Sequence, residues 1–187
     1  MGESAARRAT YDDLLAVPAN QIAEILNGVL VTHPRPGALH ARAASRLGAA
    51  LDGPFDRGKG GPGGWVILDE PELHLHGSVV VPDLAGWRRE RMPAVPMNAA
   101  AFELAPDWVC EVLSPPTIAT DRADKLPLYA VERVARVWFV EPVARTLEVY
   151  ELDGSSYRAA AAWRDAAVVR AAPFDAVELE LGSIWTP

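Results

Sequence analysis

Cysteine is almost missing from this sequence: Cys110 stands alone among 187 residues. One thiol can form no internal disulfide and no cysteine-based zinc site, so the expected setting is the reducing cytoplasm. Long apolar runs are missing too, none approaching the roughly 18 residues that a membrane span requires. The segment from Met1 to Asp13 lacks the apolar centre of a signal peptide, and Ala6 stands where a myristoylation signal starting at Gly2 wants Ser or Thr. Neither membrane insertion nor lipid anchoring is expected. Positive charge is also in short supply, with 18 Lys and Arg against 25 Asp and Glu and a formal net charge of −7. Bulk attraction to nucleic acid is thereby excluded, and any contact with a polyanion has to be local. The sequence holds no serine-hydrolase elbow, no dinucleotide fingerprint, no coiled-coil heptad and no internal repeat.

What is present is ordinary globular material. Apolar types make up 50% and charged types 23%, enough to build a core, and the length predicts a single domain over residues 1–187. Thr10 followed by Asp13 and an apolar pair reads as the N-cap of a short helix that Pro18 ends. Ile22 to Leu26 and Val29 to Thr32 flank Asn27-Gly28, the dipeptide of a tight hairpin turn. Leu39, Ala43, Leu47 and Leu51 recur at helical spacing, with Arg42 and Arg46 on another face. The stretch Gly58 to Gly64 lacks the Gly-Lys-Ser/Thr ending of a P-loop and reads as a flexible connector, or alternatively as a flap over a substrate.

Trp65 to Asp69, Glu72 to His76 and Ser78 to Leu84 read as strands of a meander, and Trp108 to Leu113 as another. A helix is predicted from Asp121 to about Val134. Strands follow over Arg136 to Val140 and Thr146 to Leu152, and Ser156 to Trp163 with Ala166 to Ala171 suggest an accessory hairpin. The class is mixed α/β.

Two carboxylates need explaining: Asp83 follows Val79, Val80, Val81 and Pro82, and Glu111 lies between Cys110 and Val112. If their strands are neighbours, two like charges about 4 Å apart at an effective dielectric near 20 repel by roughly 4 kcal/mol. An Arg or Lys partner, or a divalent cation of the Mg²⁺ or Mn²⁺ kind, would offset that, and spacing alone slightly favours simple pairing. Lys125 lies in the helix after the second acidic strand. Asp121, Lys125 and Tyr129 share one face of it, so an exposed Asp121–Lys125 pair is the plain alternative.

Taken in order, several segments resemble the PD-(D/E)XK nuclease superfamily, and within it the bacterial restriction endonuclease family of Uma type. They are Ala23-Glu24-Ile25-Leu26-Asn27-Gly28, His40, Pro82-Asp83, the run Pro106 to Pro115, Asp121-Arg122 with Lys125-Leu126 and Leu128-Tyr129, Val137 to Pro142, and the hairpin from Arg145 to Leu152. The resemblance implies a restriction-endonuclease-like core, a central mixed β-sheet flanked by helices with accessory hairpins. That core would span about residues 20–152, with accessory strands over about 153–187. Asp83 matches the motif aspartate and Glu111 the second acid. The superfamily's usual lysine would fall on Leu113, and the Uma-type pattern moves it to Lys125; Glu24 matches a further acidic member of the site. Pro127 departs from the pattern and threatens the aim of Lys125.

The implied activity is Mg²⁺- or Mn²⁺-dependent hydrolysis of phosphodiester bonds in DNA. Asp83, Glu111 and the carbonyl of Val112 would hold the metal, and Lys125 would orient water or neutralise charge. A homodimer is implied as well, with the outer strand near Thr146 to Leu152 as one possible surface. The alternative is a catalytically inactive restriction-endonuclease-like module that binds protein or nucleic acid, its carboxylates merely salt-bridged. For DNA contact the candidates are Arg42, Arg46 and Lys59, with Arg57, Arg88, Arg89 and Arg91 nearby in the sequence; a solvated surface is the ordinary alternative. Glu70, Glu72, His74 and His76 alternate as in a strand, which invites a zinc reading against the commoner solvated face. Cys110 follows strand spacing and reads as a small buried hydrophobe.

Overall fold

A computed structural model describes residues 7–185. Gly2 and Ala6, weighed above for lipid attachment, lie outside the described residues. Helix α1 (Tyr11–Leu15) opens as its sequence predicts: the Asp13 amide donates to the Thr10 hydroxyl and the Thr10 amide to the Asp13 carboxylate. Strands β1 (Gln21–Leu26) and β2 (Val29–Pro34) form the predicted hairpin, with Asn27 at φ 53° and Gly28 at φ 86°. Both turn centres adopt left-handed backbone, which Asn and Gly tolerate best. The two-residue turn locks the register, placing Glu24 opposite Val31 and Ile22 opposite His33.

Helix α2 (Ala38–Leu51) buries Ala43, Leu47 and Leu51 as its spacing predicts, but Leu39 remains 62% exposed. It runs into a π-helical turn (Asp52–Asp56), after which comes the glycine-rich stretch. Backbone hydrogen bonds tie that stretch to the turn before it. The Lys59 amide donates to the Gly53 carbonyl and the Gly63 amide to that of Pro54, while a Cβ on Gly61 would lie 2.5 Å from the Pro54 Cβ. Close approach of two backbone segments is the physical reason for glycine at Gly61, and positive φ, from 65° to 89°, is the reason at Gly58, Gly60, Gly63 and Gly64.

Strands β3 (Trp65–Asp69), β4 (Leu73–Leu75), β5 (Ser78–Val80) and β6 (Leu84–Arg88) follow. The single strand expected over Ser78 to Leu84 breaks at Pro82-Asp83, because Pro82 has no N–H to give a ladder. The chain passes there from a four-stranded sheet, ordered β2, β1, β5, β4, into a six-stranded one. The larger sheet adds β7 (Trp108–Val112), β8 (Arg136–Glu141), β9 (Thr146–Asp153) and β10 (Ser156–Arg164), in the spatial order β10, β9, β8, β7, β6, β3. Its β7–β8 pair is parallel and its other pairs are antiparallel. The crossover between β7 and β8 is α3 (Ile118–Thr120), a π-helical turn (Asp121–Lys125) and α4 (Leu126–Val131) in unbroken succession. The predicted helix thus begins and ends three residues early. The wide turn, closed by the Leu126 amide on the Asp121 carbonyl, leaves Pro127 in the first turn of α4, where a missing N–H costs little.

The accessory hairpin expected over Ser156 to Ala171 does not form. Strand β10 instead pairs along β9, which is therefore covered and is not the outer strand that dimer pairing was expected to use. Strand β11 (Val168–Val169) pairs with β12 (Leu179–Glu180), and α5 (Leu181–Trp185) follows.

Both faces of the central strands β6, β7 and β8 are buried, which explains their near-continuous apolar sequences, whereas β10 at the edge is mostly exposed. Trp108, Cys110 and Val112 join α2, Phe174, Leu181 and Ile184 in one core cluster. Val109 and Leu113 face the other way, into a cluster with Leu26, Val80, Leu128 and Tyr129. Strand alternation puts the buried Glu111 on that second face. No described helix is long and apolar enough to cross a membrane.

Candidate active site

The Pro82 break delivers Asp83 to the end of β6, beside β7, where Leu84 lies opposite Cys110. The Val112 amide donates to Asp83 Oδ2 at 2.7 Å, and the other carboxylate oxygen lies 3.1 Å from His40 Nε2 on α2. Glu111, in β7, receives the Tyr129 hydroxyl on Oε1 at 2.6 Å and faces Lys125 Nζ at 3.4 Å. Glu24 comes from β1 and is fully buried. Its Oε1 accepts from the Val81 amide at 2.8 Å and from Lys125 at 3.0 Å, and its Oε2 lies 3.4 Å from His33 Nε2. Asp121, one π-turn before Lys125, is 3.3 Å from the ammonium.

Lys125 therefore meets both Glu24 and Glu111, and Glu111, Lys125 and Asp83 line one cavity of about 140 Å³ that also borders Val112, His40 and Asp121, with Glu24 behind Lys125 and outside the lining. Arg42 and Arg46 lie on the exposed face of α2 and Lys59 in the glycine-rich stretch; none of the three lines this cavity. Of their neighbours, Arg57 pairs with Asp52, Arg89 with Asp56 at 2.6 Å and Arg91 with Asp107 at 2.8 Å, while Arg88 lies over the Trp65 ring.

The alternating acids and histidines do not share one face. Glu70 and His76 have φ values of 45° and 41°, which interrupt the extended chain. Glu70 borders the acidic cavity, His74 pairs with Glu72 at 2.7 Å, and His76 pairs with Glu132 at 2.6 Å. Among the described residues no three His, Cys, Asp or Glu side chains form a ready cage for an ion, so the zinc reading has no support.

Burial raises the Glu111 carboxyl well above its ordinary range; Lys125 opposes this, while Asp121, Asp83 and Glu24 add to it. Burial also lifts Asp121, again against Lys125, and lifts the Tyr129 hydroxyl beside Glu111. For Lys125 burial pulls downward, but Glu111, Glu24 and Asp121 together outweigh it and hold the ammonium well above its usual value. At His40 burial again pulls downward, and Asp83 together with Asp121 and Glu70 outweighs it and raises the imidazole.

Acids outnumber the single ammonium here; Glu24 Oε2, which faces His33 at 3.4 Å, and His40 Nδ1 are both buried without a hydrogen bond. Hard oxygen donors in excess, with Val112 at the cavity wall, fit Mg²⁺ or Mn²⁺. These ions bind to one or two carboxylates and fill their remaining positions with water or substrate, so no complete protein cage is needed. The sequence reading left out His33 and Arg35 and gave Tyr129 no task. The hairpin register contains the signal for His33, which is the diagonal neighbour of Glu24 on one face of β1 and β2.

The large mixed sheet with few flanking helices belongs to the restriction-endonuclease-like class of α/β folds. It is similar to the crystal structure of "a putative nuclease belonging to DUF820 from Anabaena variabilis ATCC 29413", with a TM-score of 0.76 and 20% identity over 95% of this chain and 97% of that one. The Uma2 family, described as "Putative restriction endonuclease", matches residues 8–181, and the chain belongs to it. A search of curated proteins finds no match.

Proposed function

We propose that the chain is an endonuclease hydrolysing phosphodiester bonds in DNA, with Mg²⁺ or Mn²⁺ at the acidic cavity as in PD-(D/E)XK nucleases. The observation that supports this best is the meeting of Asp83, Glu111 and Lys125, remote in sequence, around one cavity. Asp83, Glu111 and the Val112 carbonyl would hold the ion. When bound, it polarises the phosphate, helps to ionise water and stabilises the departing oxygen.

The chain's own groups prepare that chemistry. Lys125 presents a fixed positive charge where negative charge grows on the phosphate oxygens, and it can orient the attacking water. Glu24 and Asp121 are positioning residues that hold the ammonium, and Tyr129 fixes the plane of Glu111 through Oε1. The Val112 amide and His40 fix Asp83. A homodimer belongs to this reading, and β10, one of the two edge strands of the large sheet, offers a surface on which copies would pair.

Calorimetric titration with Mn²⁺ and plasmid cleavage test the reading together. The wild type is expected to bind Mn²⁺ in the micromolar to millimolar range and to nick or cut the plasmid. Asp83→Asn is expected to lose both properties and Glu111→Gln the cleavage, with the circular-dichroism spectrum kept. Absence of Mn²⁺ uptake by the wild type would favour the inactive binding module; undiminished cleavage by both variants would refute the site.

A further inference from the structure

A second hollow adjoins the acidic cavity. It is a groove of about 320 Å³, within the range of small-ligand pockets, and its walls are apolar: Leu39, Val143, Pro34, Pro36, Pro115 and Pro142. Leu39 and Val143 stand 62% and 68% exposed on its rim. Arg35, His40 and Ser114 border both hollows. Arg35 is anchored by Nε and Nη2 to the Ala19 carbonyl, at 3.2 and 3.0 Å, a neutral acceptor that leaves its charge in place. Among the described residues it makes no ion pair.

We propose that this groove receives an unstacked nucleobase of the nucleotide next to the scissile phosphate, with Arg35 on the neighbouring phosphate. The preferred substrate is then single-stranded or locally unpaired DNA. The inference rests on the nuclease reading of the acidic cavity, because only a chain already held there by its backbone is delivered to the groove.

Three observations favour this occupant. The two hollows share side chains, so a group tethered to a phosphate in one reaches the other. In a stacked duplex the base faces are covered, whereas an extruded base offers its faces to apolar side chains. A chain of net charge −7 exerts no bulk attraction on a phosphate backbone, and contact with a base supplies affinity that does not depend on it.

The test is equilibrium binding, which does not depend on cleavage. Fluorescence anisotropy compares a labelled single-stranded oligodeoxynucleotide with its blunt duplex, for the wild type and for Leu39→Asp/Val143→Asp and Arg35→Ala. The wild type is expected to bind the single strand at least about tenfold more tightly. The double variant should lose that advantage while taking up Mn²⁺ as before, which shows it is folded, and Arg35→Ala should weaken single-strand binding by about tenfold. Equal binding of both oligonucleotides, or a preference unchanged in the double variant, would overturn the inference. A single-strand preference without cleavage of either oligonucleotide in Mn²⁺ would overturn the catalytic reading and leave the base groove standing.

Discussion

Lys125 lies 3.0 to 3.4 Å from Glu24, Glu111 and Asp121, and all four side chains are almost completely buried. Charges removed from water in this way are kept only when each has partners, so the small contacts around them carry large consequences. Tyr129 is the cleanest case. Its hydroxyl donates to Glu111 at 2.6 Å from within an apolar cluster, and Phe would preserve the ring's packing while leaving Oε1 without that donor. Tyr129→Phe is expected to lower unfolding stability by about 1 to 3 kcal/mol, read from the urea midpoint at unchanged slope. At this scale much of the site was legible. Asp83 and Glu111 stood out as acids in apolar strands, and Asp121, Lys125 and Tyr129 were visible as one helical face. Leu113, where the superfamily's lysine usually sits, is 2% exposed in the second core cluster, so the ammonium has to come from elsewhere. Arg35 was illegible because nothing in its neighbours predicts two hollows meeting at its side chain.

The element that aims Lys125 is the π-helical turn, and Arg122 ties that turn to the sheet. Its guanidinium donates to both oxygens of Glu148 on β9, at 3.0 and 2.8 Å, and lies 4.8 Å from the Phe139 ring centre. Hydrogen bonding from Arg122 holds the Glu148 carboxyl below its ordinary 4.5, burial only partly opposing. A depressed carboxyl contributes stability that is fully present above 4.5 and lost as pH falls through the lower folded value. The difference in melting temperature between wild type and Glu148→Gln should therefore be present at neutral pH and vanish as the pH drops below 4.5. Thermal melts across an acid series check it. The helix was legible here but the wide turn was not, since i to i+5 bonding leaves no periodicity that six residues can display. The break at Pro82-Asp83 was readable in principle. Proline in a continuous apolar strand demanded a change of sheet, yet the run of valines before it outweighed that signal.

On the scale of the whole molecule, the residues after β10 complete a core that the N-terminal half begins. Phe174 lies 4.7 to 4.9 Å, centre to centre, from Phe55, Trp65 and Trp108, and 5.6 Å from Trp138. Val169, Leu181 and Ile184 seal the same cluster. Period-2 patterning is weak in that segment, and sequence alone cannot show that its scattered apolar residues plug the α2 face of a distant sheet. Phe174→Ala is expected to cost about 3 to 5 kcal/mol and to shift tryptophan emission to the red, measured by fluorescence-monitored denaturation.

This late plug sets a timetable for synthesis. A ribosome that has finished β10 has made every strand of the large sheet, yet the aromatic side under α2 still has no cover. The nascent polypeptide is then expected to stay sensitive to protease and open to chaperones until residues 169–184 have emerged, and a released chain truncated after residue 164 should be digested where the released 187-residue chain resists.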